Sequence, residues 1–175
     1  MALLPILTAP DPRLKVKAKE VAAVDDETRR LMDDMLETMR AAPGIGLAAP
    51  QVGVAKRVIV VDLSKDGEAE KRVYKMANPE IVWQSAELAV YNEGCLSLPE
   101  HYADVERPAE VRVRYLDENN KKQELHASGL LATCVQHEID HLEGILFVDH
   151  ISPLKRNIIL RKLAKLKRQK QPEPA

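Results

Sequence analysis

One short stretch, Gln136-His-Glu-Ile-Asp-His141, most constrains how this chain of 175 residues can fold. On an α-helix, His137 and His141 lie one turn apart on the same face, so both imidazoles can reach one metal ion. Glu138 lies beside them and can accept a proton from a water molecule whose pKa the metal has lowered. The stretch therefore predicts a helix that carries two metal ligands and a general base.

The surroundings of this stretch favour burial. The predicted helix begins near Ser128 or Gly129, ends near Gly144, and has apolar residues on nearly every face. Such a helix is expected at the centre of the molecule. Imidazoles and carboxylates are costly to bury unless they are paired or coordinated. A metal site is therefore favoured over a pair of solvated histidines.

A catalytic metal site needs a third protein ligand and an open position for water. Cys95 is the best candidate, because it lies at the predicted end of a strand and because a divalent metal deprotonates a thiol. A closed structural zinc site with Cys134 as fourth ligand is the competing interpretation. It is disfavoured because Cys134 and His141 are about 10.5 Å apart along a helix. No further ligand follows His141 at the spacing expected of a His-Glu-x-x-His peptidase.

Periodicity predicts the other elements. One helix is expected from about Asp26 to Arg40, and a second from Ser152-Pro153 to about Gln169. Residues 1–24 are expected to form a loop with one short extended piece. A loop at 43–51 and a turn at Ser64–Lys71 are also expected, and Pro99 is expected to end regular pairing. Strands are predicted at Arg57–Leu63, Val73–Met76, Ile81–Trp83, Leu88–Tyr91, Val111–Tyr115 and Lys122–His126.

The glycine-rich segment Gly44–Gln51 formally fits the dinucleotide fingerprint Gly-x-Gly-x-x-Ala. That fingerprint must follow a strand and open a helix, whereas here a helix precedes the segment and a strand follows it. Nucleotide binding is therefore rejected. What is expected is a loop of small residues whose backbone can approach a ligand closely and which ends in the polar amide of Gln51.

The length of the chain predicts one domain over residues 1–170, and a flexible tail is expected at 171–175. The longest apolar runs are shorter than a membrane span, and no signal peptide is recognisable, so a cytoplasmic location is expected. Two cysteines are too few for a disulfide framework. Residues 155–175 carry eight basic residues and one acidic residue although the chain has a net charge of −1. The basic helix at 153–170 is therefore either a solvated surface or a surface for an anionic partner such as structured RNA.

Three stretches together, Gly44–Gln51, Glu93–Ser97 and Gln136–His141, resemble the three signature motifs of the peptide deformylases in order and spacing. The resemblance implies an α+β fold in which antiparallel β-sheets wrap around a central metal-binding helix, with an N-terminal and a C-terminal helix. It also implies removal of the N-formyl group from the N-terminal methionine of newly synthesised polypeptides, with release of formate.

The resemblance implies a role for each motif. Cys95, His137 and His141 would hold one divalent metal, most often Fe²⁺, with Zn²⁺, Ni²⁺ or Co²⁺ also suited to the site, and a water molecule in the fourth position. Glu138 would take a proton from this water and deliver it to the leaving amine.

The resemblance also assigns the substrate contacts. The Gln51 side-chain amide and the Leu96 backbone N–H would hold the developing oxyanion. The peptide and its methionine side chain would contact Ile45, Gly46, Tyr91, Glu93, Gly94, Leu130, Thr133 and Cys134.

Three further expectations concern the periphery of the site. Tyr102 stands where some family members have an arginine that contacts the substrate, so binding beyond the first residue is expected to differ here. Arg107 is expected to pair with Asp140 and so brace the metal helix. The basic C-terminal helix resembles the extension by which bacterial members dock on the ribosome, and the protein is expected to be a monomer.

Overall fold

The computed structural model describes residues 2–64 and 72–170. These residues form three α-helices: α1 (Asp26–Ala41), α2 (Gly129–Leu142) and α3 (Pro153–Lys170). They also form seven strands: β1 (Gly46–Ala48), β2 (Val58–Asp62), β3 (Val73–Gln84), β4 (Leu88–Cys95), β5 (Leu98–Pro108), β6 (Glu110–Leu116) and β7 (Lys122–Ser128). The predicted tail at 171–175 and most of the predicted turn at Ser64–Lys71 lie outside the described residues.

The strands form two antiparallel sheets. A five-stranded sheet has the order β1-β2-β3-β6-β7, and β4 pairs with β5 in a separate two-stranded sheet. The predicted α+β class with antiparallel sheets is confirmed. Within the described residues no helix is long and apolar enough to cross a membrane.

Strand β2 shows how α1 and α2, both predicted from the sequence, are placed on the sheet. Val58 and Val60 pack in one apolar cluster with the methionine-rich face of α1. Ile59 and Val61 point to the other face of the sheet and pack in a second cluster with α2. Because both faces are covered, β2 is almost uniformly apolar. Helix α2 is therefore enclosed by the sheet on one side, as its own apolar composition predicts.

A third apolar cluster attaches α3 and the sheet β4–β5 to the rest of the protein. Its buried members include Leu98 and Val105 of β5, Phe147 of a 3-10 turn, and Leu163 of α3. Leu14, from the segment before α1, joins the same cluster. Cys95, at the end of β4, packs against this cluster.

Two expected features of the strands are wrong. Pro99 does not end pairing, because β5 runs from Leu98 to Pro108. The ladder shifts register here: Gly94 pairs with Tyr102, whereas Cys95 pairs with Leu98. Pro99 thus lies in a bulge, where its missing N–H breaks no ladder hydrogen bond.

The two strands expected at 73–76 and 81–83 are one strand. Strand β3 continues through Asn78, which adopts a φ of +50°, and its pairing with β6 shifts register between Ala77 and Glu80. Asparagine tolerates this left-handed backbone conformation better than most residues. The expected loop at 43–51 likewise contains the three-residue strand β1 and a 3-10 turn at Ala49–Val52.

Candidate metal centre and active site

The two histidines of α2 and the cysteine at the end of β4 come together in space. Potential ligand atoms of Cys95, His137 and His141 all lie within 4.8 Å of one another. The Cys95 sulfur is 3.3 Å from Nε2 of His141. Both imidazoles are buried, and the thiol is half-buried. Helix periodicity places the histidines on one face, and the register of β4 with β5 places the cysteine opposite them.

A buried ion-pair network fixes the orientation of His137. Its Nδ1 is 2.9 Å from Oε1 of Glu93, which leaves Nε2 free. Arg107 donates two hydrogen bonds to Glu93, at 2.7 Å and 2.9 Å, and a third to Asp140 at 2.8 Å. The expected pairing of Arg107 with Asp140 is therefore present. His150, which sequence reasoning missed, also contacts Asp140 at 2.8 Å.

The charge of Glu93 is part of this network. Burial raises the pKa of Glu93, but hydrogen bonds from His137 and Arg107 outweigh it and hold that pKa below its usual value. The sequence interpretation placed Glu93 only at the wall of the methionine pocket. In the structure Glu93 is also the hydrogen-bond partner of His137.

The electrostatics of the three side chains suit a cation. Burial lowers the pKa of His137, yet Glu138, the Cys95 thiol and Glu93 outweigh it and raise that pKa well above its usual value. The surroundings thus favour positive charge at this point. Burial and the neighbouring His137 hold the pKa of His141 well below its usual value, so its ring is neutral. Its buried Nδ1 has no hydrogen-bond partner among the described residues. A thiol and two imidazoles, with favoured positive charge between them, fit a divalent metal of the late first row.

Cys134 does not join the three ligand candidates. Among the described residues, the cluster contains Cys95 as its single thiol. The Cys134 sulfur instead lies 3.8 Å from the carbonyl oxygen of Ile45, and burial raises the pKa of its thiol well above the usual value. The geometry therefore gives no support to a closed site with two sulfurs.

Glu138 is held as a buried carboxyl group beside the cluster. Burial raises its pKa from 4.5 to about 7. Its Oε1 has no hydrogen-bond partner among the described residues. The backbone of Gly46 passes so close that a Cβ there would collide with this carboxylate and lie 2.9 Å from the Cys134 sulfur. Glycine at 46 thus allows β1 to run directly over Glu138.

Gln51 lies behind Cys95 and is buried. Its Oε1 accepts a hydrogen bond of 2.9 Å from the backbone N–H of Ala48. Its Nε2 donates to the Ser97 hydroxyl at 3.0 Å and lies 3.5 Å from the Cys95 sulfur. The Gln51 amide therefore contacts the cluster through the Cys95 sulfur, without lining the pocket itself.

A pocket of about 650 Å³ opens above this cluster. Cys95, Leu96, His137 and Glu138 form part of its wall. The pocket also brings together all eight residues expected to contact the substrate, namely Ile45, Gly46, Tyr91, Glu93, Gly94, Leu130, Thr133 and Cys134. Sequence reasoning missed Ile6, which comes from the N-terminal segment and carries no motif, and Ala42 and Pro43, which follow α1.

The wall of an open pocket thus carries a thiol, two imidazoles and a carboxyl group whose pKa is near neutrality. These groups define a metal-dependent hydrolase. The cation would bind between the three ligands, and the carboxyl group is free to exchange a proton.

Comparisons with known proteins agree with this class. A profile of the family described as polypeptide deformylase matches residues 3–157. A peptide deformylase of Phenylobacterium zucineum is 58% identical over 165 residues, covering 94% of this chain and 97% of its own length. One of Methylocella silvestris is 56% identical and covers 99% of this chain and 90% of its own length. The crystal structure of peptide deformylase from Ehrlichia chaffeensis in complex with actinonin has a TM-score of 0.91 and 44% identity, covering 96% of this chain and 99% of its own.

The chain belongs to the polypeptide deformylase family. This confirms the resemblance carried by the three motifs, the predicted fold, and the prediction of a metal-dependent hydrolase.

Proposed function

We propose that this protein removes the N-formyl group from the N-terminal methionine of newly synthesised polypeptides and releases formate, with Cys95, His137 and His141 as ligands of one divalent metal. The observation that carries the proposal is the cluster of these three side chains, whose ligand atoms lie within 4.8 Å of one another at the wall of the pocket. Fe²⁺ is the proposed metal, and Zn²⁺, Ni²⁺ and Co²⁺ suit the same donors.

A bound divalent metal lowers the pKa of a water molecule toward neutrality and polarises a carbonyl group. Glu138 is the proposed proton carrier. With a pKa of about 7, its carboxyl group is able both to accept a proton and to give it up at neutral pH. Its Oε1 makes no competing hydrogen bond to the described residues. Glu138 would take the proton of the attacking water and deliver it to the leaving amine.

The proposed donors to the developing oxyanion are the Gln51 amide and the Leu96 backbone N–H. Gln51 is preorganised, because its carbonyl oxygen is fixed by Ala48 and its amide lies 3.5 Å from the Cys95 sulfur. A donor that is already held in place is more effective at stabilising developing charge than one that must reorient. Leu96 follows Cys95 directly, so its N–H is tied to the position of that ligand.

The proposed substrate site is the pocket wall away from the cluster. Leu130, Thr133 and Cys134 lie on one face of α2 and offer a largely apolar surface to a methionine side chain. The backbone at Ile45, Gly46 and Gly94 offers hydrogen-bonding groups to an extended peptide.

The test is formate release by protein purified without oxygen and loaded with metal. Formyl-Met-Ala-Ser should be deformylated, and unformylated Met-Ala-Ser should remain intact. A fully loaded protein that releases no formate would refute the proposal, and cleavage of the unformylated peptide would indicate a peptidase.

Glu138→Gln tests the proton carrier. The variant should keep its metal and its fold, because the amide has the same shape, but its turnover should fall by about 10²–10⁴-fold. Metal content and formate release are measured on the same sample. Glu143→Gln, at the end of the same helix and partly exposed, is the matched control and should retain turnover. Equal activity of Glu138→Gln and wild type would show that another group moves the proton.

The proposed place of action is the ribosome in the cytoplasm, where formylated chains emerge. The exposed basic residues of α3 support this, because Arg161, Lys162, Lys165 and Arg168 present positive charge to solvent while Leu163 is buried against the body. A helix held in this way can meet an RNA surface without leaving the enzyme. We expect the protein to act as a monomer.

A further inference from the structure

A second groove lies next to the active-site pocket, between β5 and the start of α3. It has a volume of about 550 Å³. The apolar wall of the groove comes largely from α3 and from the segment just before it. The polar side chains of the groove come from both β5 and α3. The residues that matter here are Tyr102, Asp104, Ile151, Lys155, Ile158 and Ile159.

Tyr102 is the wall that the pocket and the groove share. It pairs with Gly94 across the β4–β5 ladder. A Cβ on Gly94 would lie 2.6 Å from Cδ1 of Tyr102, so the ring rests directly on the glycine backbone. The side chain is nevertheless 66% exposed. The ring therefore forms a ridge with the pocket on one side and the groove on the other.

We propose that the groove binds residues of the formylated polypeptide downstream of its methionine, after the chain has passed over Tyr102. The proposal rests on the proposed function, in which the substrate is a polypeptide whose first residue fills the pocket. The rest of such a chain must leave the pocket, and the groove is a neighbouring depression that has the Tyr102 side chain as a wall in common with it.

The chemistry of the groove indicates which sequences it prefers. Ile158 is 42% exposed, and Ile151 and Ile159 are half-buried, so an apolar side chain placed there would cover surface that now faces water. Lys155 and Asp104 can bond the polar backbone of an extended peptide. Apolar residues several positions after the methionine should therefore bind better than polar ones.

The experiment compares kcat/KM for formylated peptides of increasing length, from formyl-Met-Ala-Ser to octapeptides that carry either leucine or serine at the distal positions. Wild-type protein should process the leucine octapeptide with a kcat/KM about tenfold above that of the tripeptide, chiefly through a lower KM. The serine octapeptide should gain much less. The length at which the gain appears reports how many residues reach the groove.

Two variants locate the effect. Ile158→Asp should abolish the gain with the leucine octapeptide and leave tripeptide turnover unchanged. Leu154→Asp is the matched control, because Leu154 lies one turn earlier on α3, is 71% exposed and does not line the groove. It should retain the full gain.

Three results would overturn the proposal. Wild-type protein could show no gain with length, or Ile158→Asp could keep the gain. Ile158→Asp could also change the sedimentation coefficient without changing the gain, which would make the groove a contact between two copies of the chain. A failure of the proposed function is distinguishable, because no peptide of any length would then release formate.

Discussion

At the scale of single residues, Arg107 connects two of the sequence motifs by pairing with Glu93 in one and Asp140 in the other. It is buried and lies between Glu93 of β4 and Asp140 of α2, and Glu93 in turn holds His137. The position of His137, a proposed metal ligand, thus depends on a guanidinium group from a third element, β5. Residue types suggested the Arg107–Asp140 pair, but the link to Glu93 requires the register of β4 with β5.

Replacing Arg107 tests this network. Arg107→Met should lower the free energy of unfolding by about 3–5 kcal/mol, because it leaves two carboxylates without their buried partner. Denaturant unfolding of the metal-loaded protein measures the change. Arg114→Met is the control: Arg114 pairs with Glu124 on an exposed surface, and its loss should cost less than about 1 kcal/mol. Similar losses in the two variants would contradict the role of Arg107.

At the scale of elements, the sequence predicted the parts that have a clear period or cap. Helix α1 begins at Asp26 as expected, with Asp25 as its N-cap, and α2 ends before Gly144, which has a φ of +74°. Strand β5 was missed because its sequence contains a proline and many charged residues, which are uncommon in strands. Its pairing with β4 is also interrupted by a bulge. Such a bulge depends on the partner strand, which local sequence does not reveal.

Asp149 connects three elements and predicts how stability depends on pH. It accepts hydrogen bonds of 2.7 Å from Lys15, before α1, and from Arg156 of α3, and one of 2.9 Å from the backbone of Leu146. Burial raises its pKa, but these bonds outweigh it and hold that pKa below the usual 3.8. Asp149 therefore stabilises the folded protein above about pH 4, and this contribution disappears as pH falls through the lower folded pKa.

Asp149→Asn should accordingly be less stable than wild type at pH 7, and the difference should shrink as pH falls below about 4. Urea unfolding at several pH values measures it. Glu106→Gln is the control, because Glu106 is exposed on β5 and makes no ion pair with the described residues. A difference that stays constant down to pH 2 would show that Asp149 acts through packing rather than charge.

At the scale of the whole molecule, charge is divided unevenly between the body and the C-terminal helix. The chain has a net charge of −1, although residues 155–175 contain eight basic residues and one acidic residue. The residues of the candidate site are also spread along the chain, because they come from β1, β4 and α2. Three separated motifs made the site recognisable in the sequence. The pocket residues between motifs, such as Ile6, depend on packing and have no local pattern.

Neutralising the exposed charges of α3 tests the proposed ribosome contact. The combined replacement of Arg161, Lys162, Lys165 and Arg168 by glutamine should weaken ribosome binding and flatten its dependence on salt, because fewer phosphates are contacted. Turnover of formyl-Met-Ala-Ser should be unchanged. Co-sedimentation with ribosomes at several salt concentrations measures binding. The control replaces Lys121, in the turn between β6 and β7, and Lys122, the first residue of β7, by glutamine. An equal loss of ribosome binding in the two variants would show that α3 has no special role.

The central claim is that Cys95, His137 and His141 hold one metal and leave a position open for water. X-ray absorption of protein purified without oxygen and loaded with metal tests it most directly. We predict one sulfur and two imidazole nitrogens, with at least one further oxygen donor, and the same shell in Cys134→Ser. A shell with two sulfurs, or one without the oxygen donor, would contradict the account.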